Sequence, residues 1–120
     1  MKKRILAIDD DELMLLTLEA FLIGKGFQVL KISQEQLIEA AISDFKPELI
    51  ILDIRLINSD GRDICDELKS RTSTSHIPII LLTALDYNEI SRIDCKADAI
   101  IGKPFESGSL LSTIHQLLNS

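Results

Sequence analysis

The chain has no tryptophan, a single tyrosine and four phenylalanines among its 120 residues, so any core must be aliphatic. Its two cysteines, Cys65 and Cys95, are too few for a disulfide framework and have no metal-ligand spacing. They are expected to stay reduced, which points to a cytoplasmic location. Three prolines and five glycines leave no linker, repeat or low-complexity tract, so residues 1–120 are expected to form one domain. Cations are the minority: 13 Lys and Arg face 19 Asp and Glu, a net charge of −6. That balance argues against nucleic acid and against an anionic membrane surface as direct ligands. The longest apolar runs, such as Leu49 to Leu52, fall far short of the roughly 20 residues of a membrane-spanning helix. Lys2-Lys3-Arg4 resembles the charged start of a signal peptide. The apolar stretch Ile5 to Ile8 that follows stops at once in acids, which predicts no cleavable signal. His76 and His115 lack spaced metal-ligating partners, and no Gly-rich phosphate loop occurs.

What is present is an alternation of short apolar runs with amphipathic segments. Arg4 to Ile8 reads as a first strand, ended by Asp9-Asp10-Asp11. Leu13, Leu16, Ala20 and Ile23 recur at helical steps and predict a helix with that stripe buried, closed by Gly24 and Gly26. Phe27 to Ile32, partly alternating, reads as an edge strand. Ser33 with Gln36 has the form of a capping box for a helix that buries Ile38, Ala41, Ile42 and Phe45 and ends before Pro47. Glu48 to Asp53 and Pro78 to Thr83 are continuously apolar until their last residue, as in parallel strands covered on both faces. Between them, a loop over Asn58 to Gly61 precedes a helix carrying Ile64, Cys65 and Leu68, and Ser70 to Ser75 reads as a surface loop. A helix over Leu85 to Ile93, a strand over Ala99 to Ile101 and a last helix with Leu110, Leu111, Ile114, Leu117 and Leu118 complete the chain. Five strand–helix repeats predict an α/β doubly wound parallel sheet with helices on both faces.

In such sheets ligands bind beyond the carboxyl ends of the strands. The residues standing there are Asp9, Asp10 and Asp11, then Asp53, Thr83 and Lys103. Taken singly, each has an ordinary explanation: an Asp after a strand caps a helix, a Thr favours β structure, a Lys is solvated. Jointly they place three carboxylates of Asp9, Asp10 and Asp53 in a small volume, which raises carboxyl pKa values unless a cation compensates. Oxygen ligands favour Mg²⁺. A phosphoryl group on one carboxylate would give the metal, the lysine and the hydroxyl each an oxygen to hold.

These stretches, Ile5 to Asp11, Leu49 to Asp53 with Gly61 eight residues on, Pro78 to Ala84 and Lys103-Pro104-Phe105, resemble the receiver domains of two-component response regulators. The resemblance spans the chain. It implies a flavodoxin-like (βα)5 fold with strand order 2-1-3-4-5. It implies that Asp53 accepts a phosphoryl group from a sensor histidine kinase or phosphotransfer protein, and that the domain signals through a partner or an attached output domain rather than acting as an enzyme. Asp10, Asp53 and the backbone carbonyl of Arg55 would hold Mg²⁺, with Asp9 acting mainly through water. Thr83 and Lys103 would contact the phosphoryl oxygens, and the Lys103–Pro104 bond would be cis.

The chain departs from the family pattern at several positions. Ile100 stands where an aromatic usually reports phosphorylation, so movement of Thr83 must be passed on by packing. Ile57 replaces a frequent proline and Lys96 a usual glycine. Arg55 and Leu85 occupy the two positions that tune phosphoryl lifetime, and their combination predicts slow hydrolysis. Tyr87, Ile90, Ile93 and Ile100 would form an apolar face on helix four and strand five; with helix five it is a candidate homodimer surface. Two rival readings remain. One is a haloacid-dehalogenase-like phosphohydrolase with Asp9 as nucleophile; the other is a pseudo-receiver that serves only as an interaction module.

Overall fold

The computed structural model describes residues 2–84 and 95–119. The helix expected over Leu85 to Ile93 lies outside the described residues, as do Leu85, Tyr87, Ile90 and Ile93. Five parallel strands form one sheet: β1 (Arg4–Ile8), β2 (Gln28–Ile32), β3 (Leu49–Asp53), β4 (Ile79–Thr83) and β5 (Ala99–Gly102). Their order is β2-β1-β3-β4-β5, the flavodoxin-like arrangement. The helices are α1 (Glu12–Gly24), α2 (Ile38–Phe45), α3 (Gly61–Ser70) and α4 (Ser107–Leu118), with a 3-10 turn at Glu35–Leu37.

The continuous apolar runs form the central strands for the expected reason. Every residue of β3 and β4 is buried, because both sheet faces are covered. On one face Leu6, Ile8, Ile50, Leu52, Ile79 and Leu81 meet Ile38 and Ala41 of α2 and Cys65 and Leu68 of α3. On the other, Ile5, Ala7, Leu49, Ile51, Ile80 and Leu82 meet α1 and α4 through Leu15, Leu18, Leu22, Leu110 and Ile114. Alternate residues of each strand thus feed separate cores, as the two-residue period of a strand demands.

The buried stripe of α1 differs from the expected one. Leu15, Leu18 and Leu22 face the core, while Leu13, Leu16 and Ile23 are 72%, 52% and 50% exposed and Ala20 is exposed as well. The helix is apolar almost all round, so two stripes satisfy the helical period and only tertiary packing selects between them. The capping box at Ser33 does not form either. The 3-10 turn intervenes before α2, its N-cap is Gln34, and neither segment has a side-chain cap. Lys46 ends α2 in the left-handed region at φ 53° just before Pro47.

One polar device crosses the sheet's lower edge. Lys69 Nζ, largely buried, donates to the Ile77 carbonyl at 2.7 Å and pairs with Asp98 Oδ2 at 2.7 Å. The same Asp98 oxygen accepts the Ile79 N–H at 2.8 Å, and the Asp98 N–H reaches the Ile79 carbonyl at 2.9 Å.

Both cysteines are free, and they differ in accessibility. Burial, aided by the nearby Cys95, pushes the Cys65 thiol up to about 12. Native protein at pH 8 should therefore expose Cys95 alone to Ellman's reagent, with Cys65 reacting only on unfolding. A raised folded-state pKa means that this group's stabilisation is complete below the unfolded value, 9.0, and is lost as pH climbs toward about 12. Thermal melts across that range should show the decline, and Cys65→Ala should flatten it.

Candidate functional site

Strand register brings the candidate residues together. Ile8 pairs with Leu52, so Asp9 and Asp53 leave neighbouring strands side by side. Asp53 pairs with Leu82 and Thr83 with Gly102, which sets Thr83 and Lys103 at the same edge. The Lys103 N–H donates to the Thr83 carbonyl at 2.6 Å, tying the two strand ends. The Lys103–Pro104 bond is cis.

Helix capping is handled by other acids. Asp11 accepts the Leu13 and Met14 N–H groups at the start of α1, Asp60 accepts Arg62 N–H at α3, and Glu106 accepts Gly108 and Ser109 at α4. That leaves Asp9, Asp10 and Asp53 without a capping explanation. Asp9 is 2% and Asp53 6% exposed, with Asp10 half-buried. One carboxylate oxygen from each lies within 4.8 Å of the others. Lys103 Nζ sits between two of them, 2.8 Å from Asp9 Oδ2 and 3.2 Å from Asp53 Oδ1. The remaining Asp9 oxygen accepts the Asp11 N–H at 3.0 Å, which holds the acid loop in place.

The electrostatics follow from this crowding. Burial raises the Asp53 pKa and repulsion from Asp9 adds to it; the Lys103 charge and the Arg55 backbone N–H work against them. For Lys103, burial favours the neutral amine, but the hydrogen bond and charge of Asp9, with Asp53 behind it, outweigh burial and raise its pKa. Three carboxylates against one ammonium leave an excess of negative charge in a site shielded from water. Hard oxygen donors clustered in this way fit a divalent cation. Arg55 itself is exposed, and its backbone pairs with Asp60 in an isolated antiparallel β-bridge across the β3–α3 loop.

Two features were less visible from residue patterns. Gly61 opens α3 directly under Asp53: an added Cβ would overlap the Asp53 carbonyl oxygen and lie 2.9 Å from Ile54 Cα. Its N–H donates to the Ile54 carbonyl at 2.6 Å. The eight-residue spacing from Asp53 was the only sequence signal for this contact. The second feature is a group of exposed apolar side chains on elements that end at the acid edge: Leu13 on α1, Leu37 before α2, and Ile57, 81% exposed, in the β3–α3 loop. The periodicity of α1 predicts Leu13 in the core, and the structure exposes it.

Known proteins share this fold. Residues 5–115 match the family described as the response regulator receiver domain. The transcriptional regulatory protein GltR of Pseudomonas aeruginosa is 34% identical over 118 residues, covering 97% of this chain and 49% of GltR. The response regulator PleD of Caulobacter vibrioides is 31% identical over 119 residues, covering 98% of this chain and 26% of PleD. The chain thus spans about half or less of these curated relatives. Among solved structures, the signal receiver domain of a signal transduction histidine kinase from Syntrophus aciditrophicus superposes with a TM-score of 0.88 at 31% identity, covering 98% of this chain and 90% of that one. With its sheet order, acid edge and near full-length match in agreement, the chain belongs to the receiver domain family of two-component response regulators.

Proposed function

We propose that this receiver accepts a phosphoryl group on Asp53. The observation that carries the reading is the shared contact of Lys103 Nζ with Asp9 and Asp53, both nearly buried beyond the strand ends. The donor would be a phosphohistidine on a sensor kinase or phosphotransfer protein. An Asp53 carboxylate oxygen attacks phosphorus, the P–N bond breaks, and the electron pair leaves with the imidazole, which takes up a proton. Lys103 would hold one phosphoryl oxygen, and the Thr83 hydroxyl, at the end of the adjacent strand, would donate to another. Asp9, Asp10, Asp53 and the Arg55 carbonyl would hold Mg²⁺, which when bound neutralises charge on the phosphoryl oxygens. Ile100, half-buried against the α2–α3 core, would pass on Thr83 movement by packing in place of an aromatic flip.

Acetyl phosphate with Mg²⁺ tests this directly. Stoichiometric, acid-stable and hydroxylamine-labile modification, absent in Asp53→Asn, is expected. Multiple turnover of small phosphomonoesters dependent on Asp9 would instead restore the phosphohydrolase reading, and no modification of any residue would leave a pseudo-receiver.

The exposed face of α1 suits the phosphodonor. Leu13 and Leu16 lie on the helix that starts at the acid loop, and an apolar surface there needs a covering partner. The double variant Leu13→Glu, Leu16→Glu should slow transfer from a phosphohistidine protein by about tenfold, equivalent to about 1.4 kcal/mol of lost docking energy. Reaction with acetyl phosphate should stay unchanged, since a small donor needs no docking surface.

Arg55, exposed two residues beyond Asp53, would crowd the approach of hydrolytic water. Arg55→Asn should shorten the phosphoaspartate half-life several-fold, read as decay of the labelled protein after the donor is removed.

A further inference from the structure

The edge of the sheet opposite Asp53 carries a cleft of about 540 Å³, within the range of small-molecule sites. It is built where β1, β3 and β4 begin, and the end of α4 closes one side. Its walls divide by chemistry. Ile42, Pro47, Ile77, Pro78, Leu117 and Leu118 form an apolar lining. Lys3, Arg4 and Lys46 supply three cations, with His76 beside them, against one carboxylate, Glu48.

This balance opposes that of the chain, whose net charge is −6. Glu48 is already committed: Lys3 Nζ lies 3.2 Å and Arg4 Nη1 3.5 Å from its oxygens, and the Arg4 N–H donates to it at 3.1 Å. Burial works against its ionisation, yet the Arg4 N–H and Lys3 outweigh burial and hold its carboxyl below the usual range. Arg4 Nε is also engaged, donating to the Lys46 carbonyl at 2.9 Å, which fixes the backbone at Lys46. Lys46 enters no ion pair among the described residues, and its left-handed backbone closes α2 directly at the cleft. One carboxylate cannot neutralise three cations, so an anion is favoured at the polar rim and an apolar body over the lining.

We propose that this cleft binds a small amphipathic anion, an anionic head group at the polar rim and an apolar body over the lining, with Lys46 as its principal cation. The site is separate from the acid edge. Its occupation requires no phosphorylation, so it stands or falls independently of the reading of Asp53.

Octanoate titrated into the full chain, followed by amide chemical shifts, tests the assignment. Saturable shifts are expected at Lys3, Arg4, Ile42, Lys46 and Leu118, with octanol and octyltrimethylammonium at least tenfold weaker. Lys46→Gln should weaken octanoate at least fivefold and Lys46→Arg restore it, while both variants still react with acetyl phosphate like the wild type. Equal binding of octanol, shifts centred elsewhere, or no saturation in the millimolar range would overturn the proposal.

Discussion

Asp53→Asn, freed of divalent cations, should melt above the wild type at pH 7 even though it takes no phosphoryl group. On the proposed reading the acceptor is lost, because the amide has no anionic oxygen to attack phosphorus. The gain in stability has a separate origin. In the wild type, burial and the charge of Asp9 disfavour the ionised Asp53, and the single ammonium of Lys103 is shared between both acids. The amide removes one buried negative charge and leaves Lys103 paired to Asp9. The sign can be checked by pH. A raised carboxyl pKa means that this group's contribution to stability is complete below the unfolded value and is lost as pH rises through the folded one. The advantage of Asp53→Asn should therefore shrink as pH falls toward the unfolded carboxyl value of 3.8 and grow toward neutrality. Millimolar Mg²⁺ should reverse the order, because only the wild type keeps all three acids as ligands. Melting curves with chelator and with Mg²⁺ measure both effects. A variant less stable than the wild type in chelator at pH 7 would show that the acids are not in electrostatic conflict.

Gly61→Ala should cost about 3 kcal/mol and depress phosphoryl acceptance as well. No flexible side chain can give way there, since the atoms met are backbone of Asp53 and Ile54. Relief requires α3 to move off β3, which strains the 2.6 Å hydrogen bond from Gly61 to Ile54 and shifts the segment bearing Asp53. Gly24→Ala is the matched control: nothing lies within 4 Å of its added Cβ, so it should be neutral or stabilise by about 0.5 kcal/mol through reduced unfolded-state freedom. Denaturant midpoints for the pair separate a steric effect from any general penalty on glycine replacement.

The sheet and its acid edge were legible for a physical reason. Strands buried on both faces must be continuously apolar, so the runs ending in Asp53 and Thr83 announce both their burial and the point where burial stops. Polar residues at that point are either caps or ligands, and residue type alone does not sort them. Asp11 and Asp60 prove to be caps; Asp9, Asp10 and Asp53 do not. The face of α1 was not legible, because Leu13, Leu15, Leu16, Leu18, Leu22 and Ile23 satisfy the helical period on more than one side. The capping box at Ser33 failed because a 3-10 turn over Glu35–Leu37 stands where the helix was to start. Lys69 gave no sign of burial, since its partners Ile77 and Asp98 are distant in sequence and its role depends on the fold being complete. The cleft at the opposite edge was equally hidden, because its walls come from four separate segments.

The Lys69–Asp98 pair has a bearing on the acid edge that its location conceals. Asp98 clasps Ile79 through both its backbone and its side chain immediately before β5 begins, and so sets which residue of β5 faces which residue of β4. Lys103 stands five positions further on, roughly 17 Å along the strand. A slip of one residue would turn Lys103 to the opposite face of the sheet, away from Asp9 and Asp53. The pair at the foot of the strand therefore works as a calibration mark for the position of the Lys103 ammonium at its tip. Sequence changes at Lys69 or Asp98 would be felt first as a misplaced ammonium at the other end of the molecule.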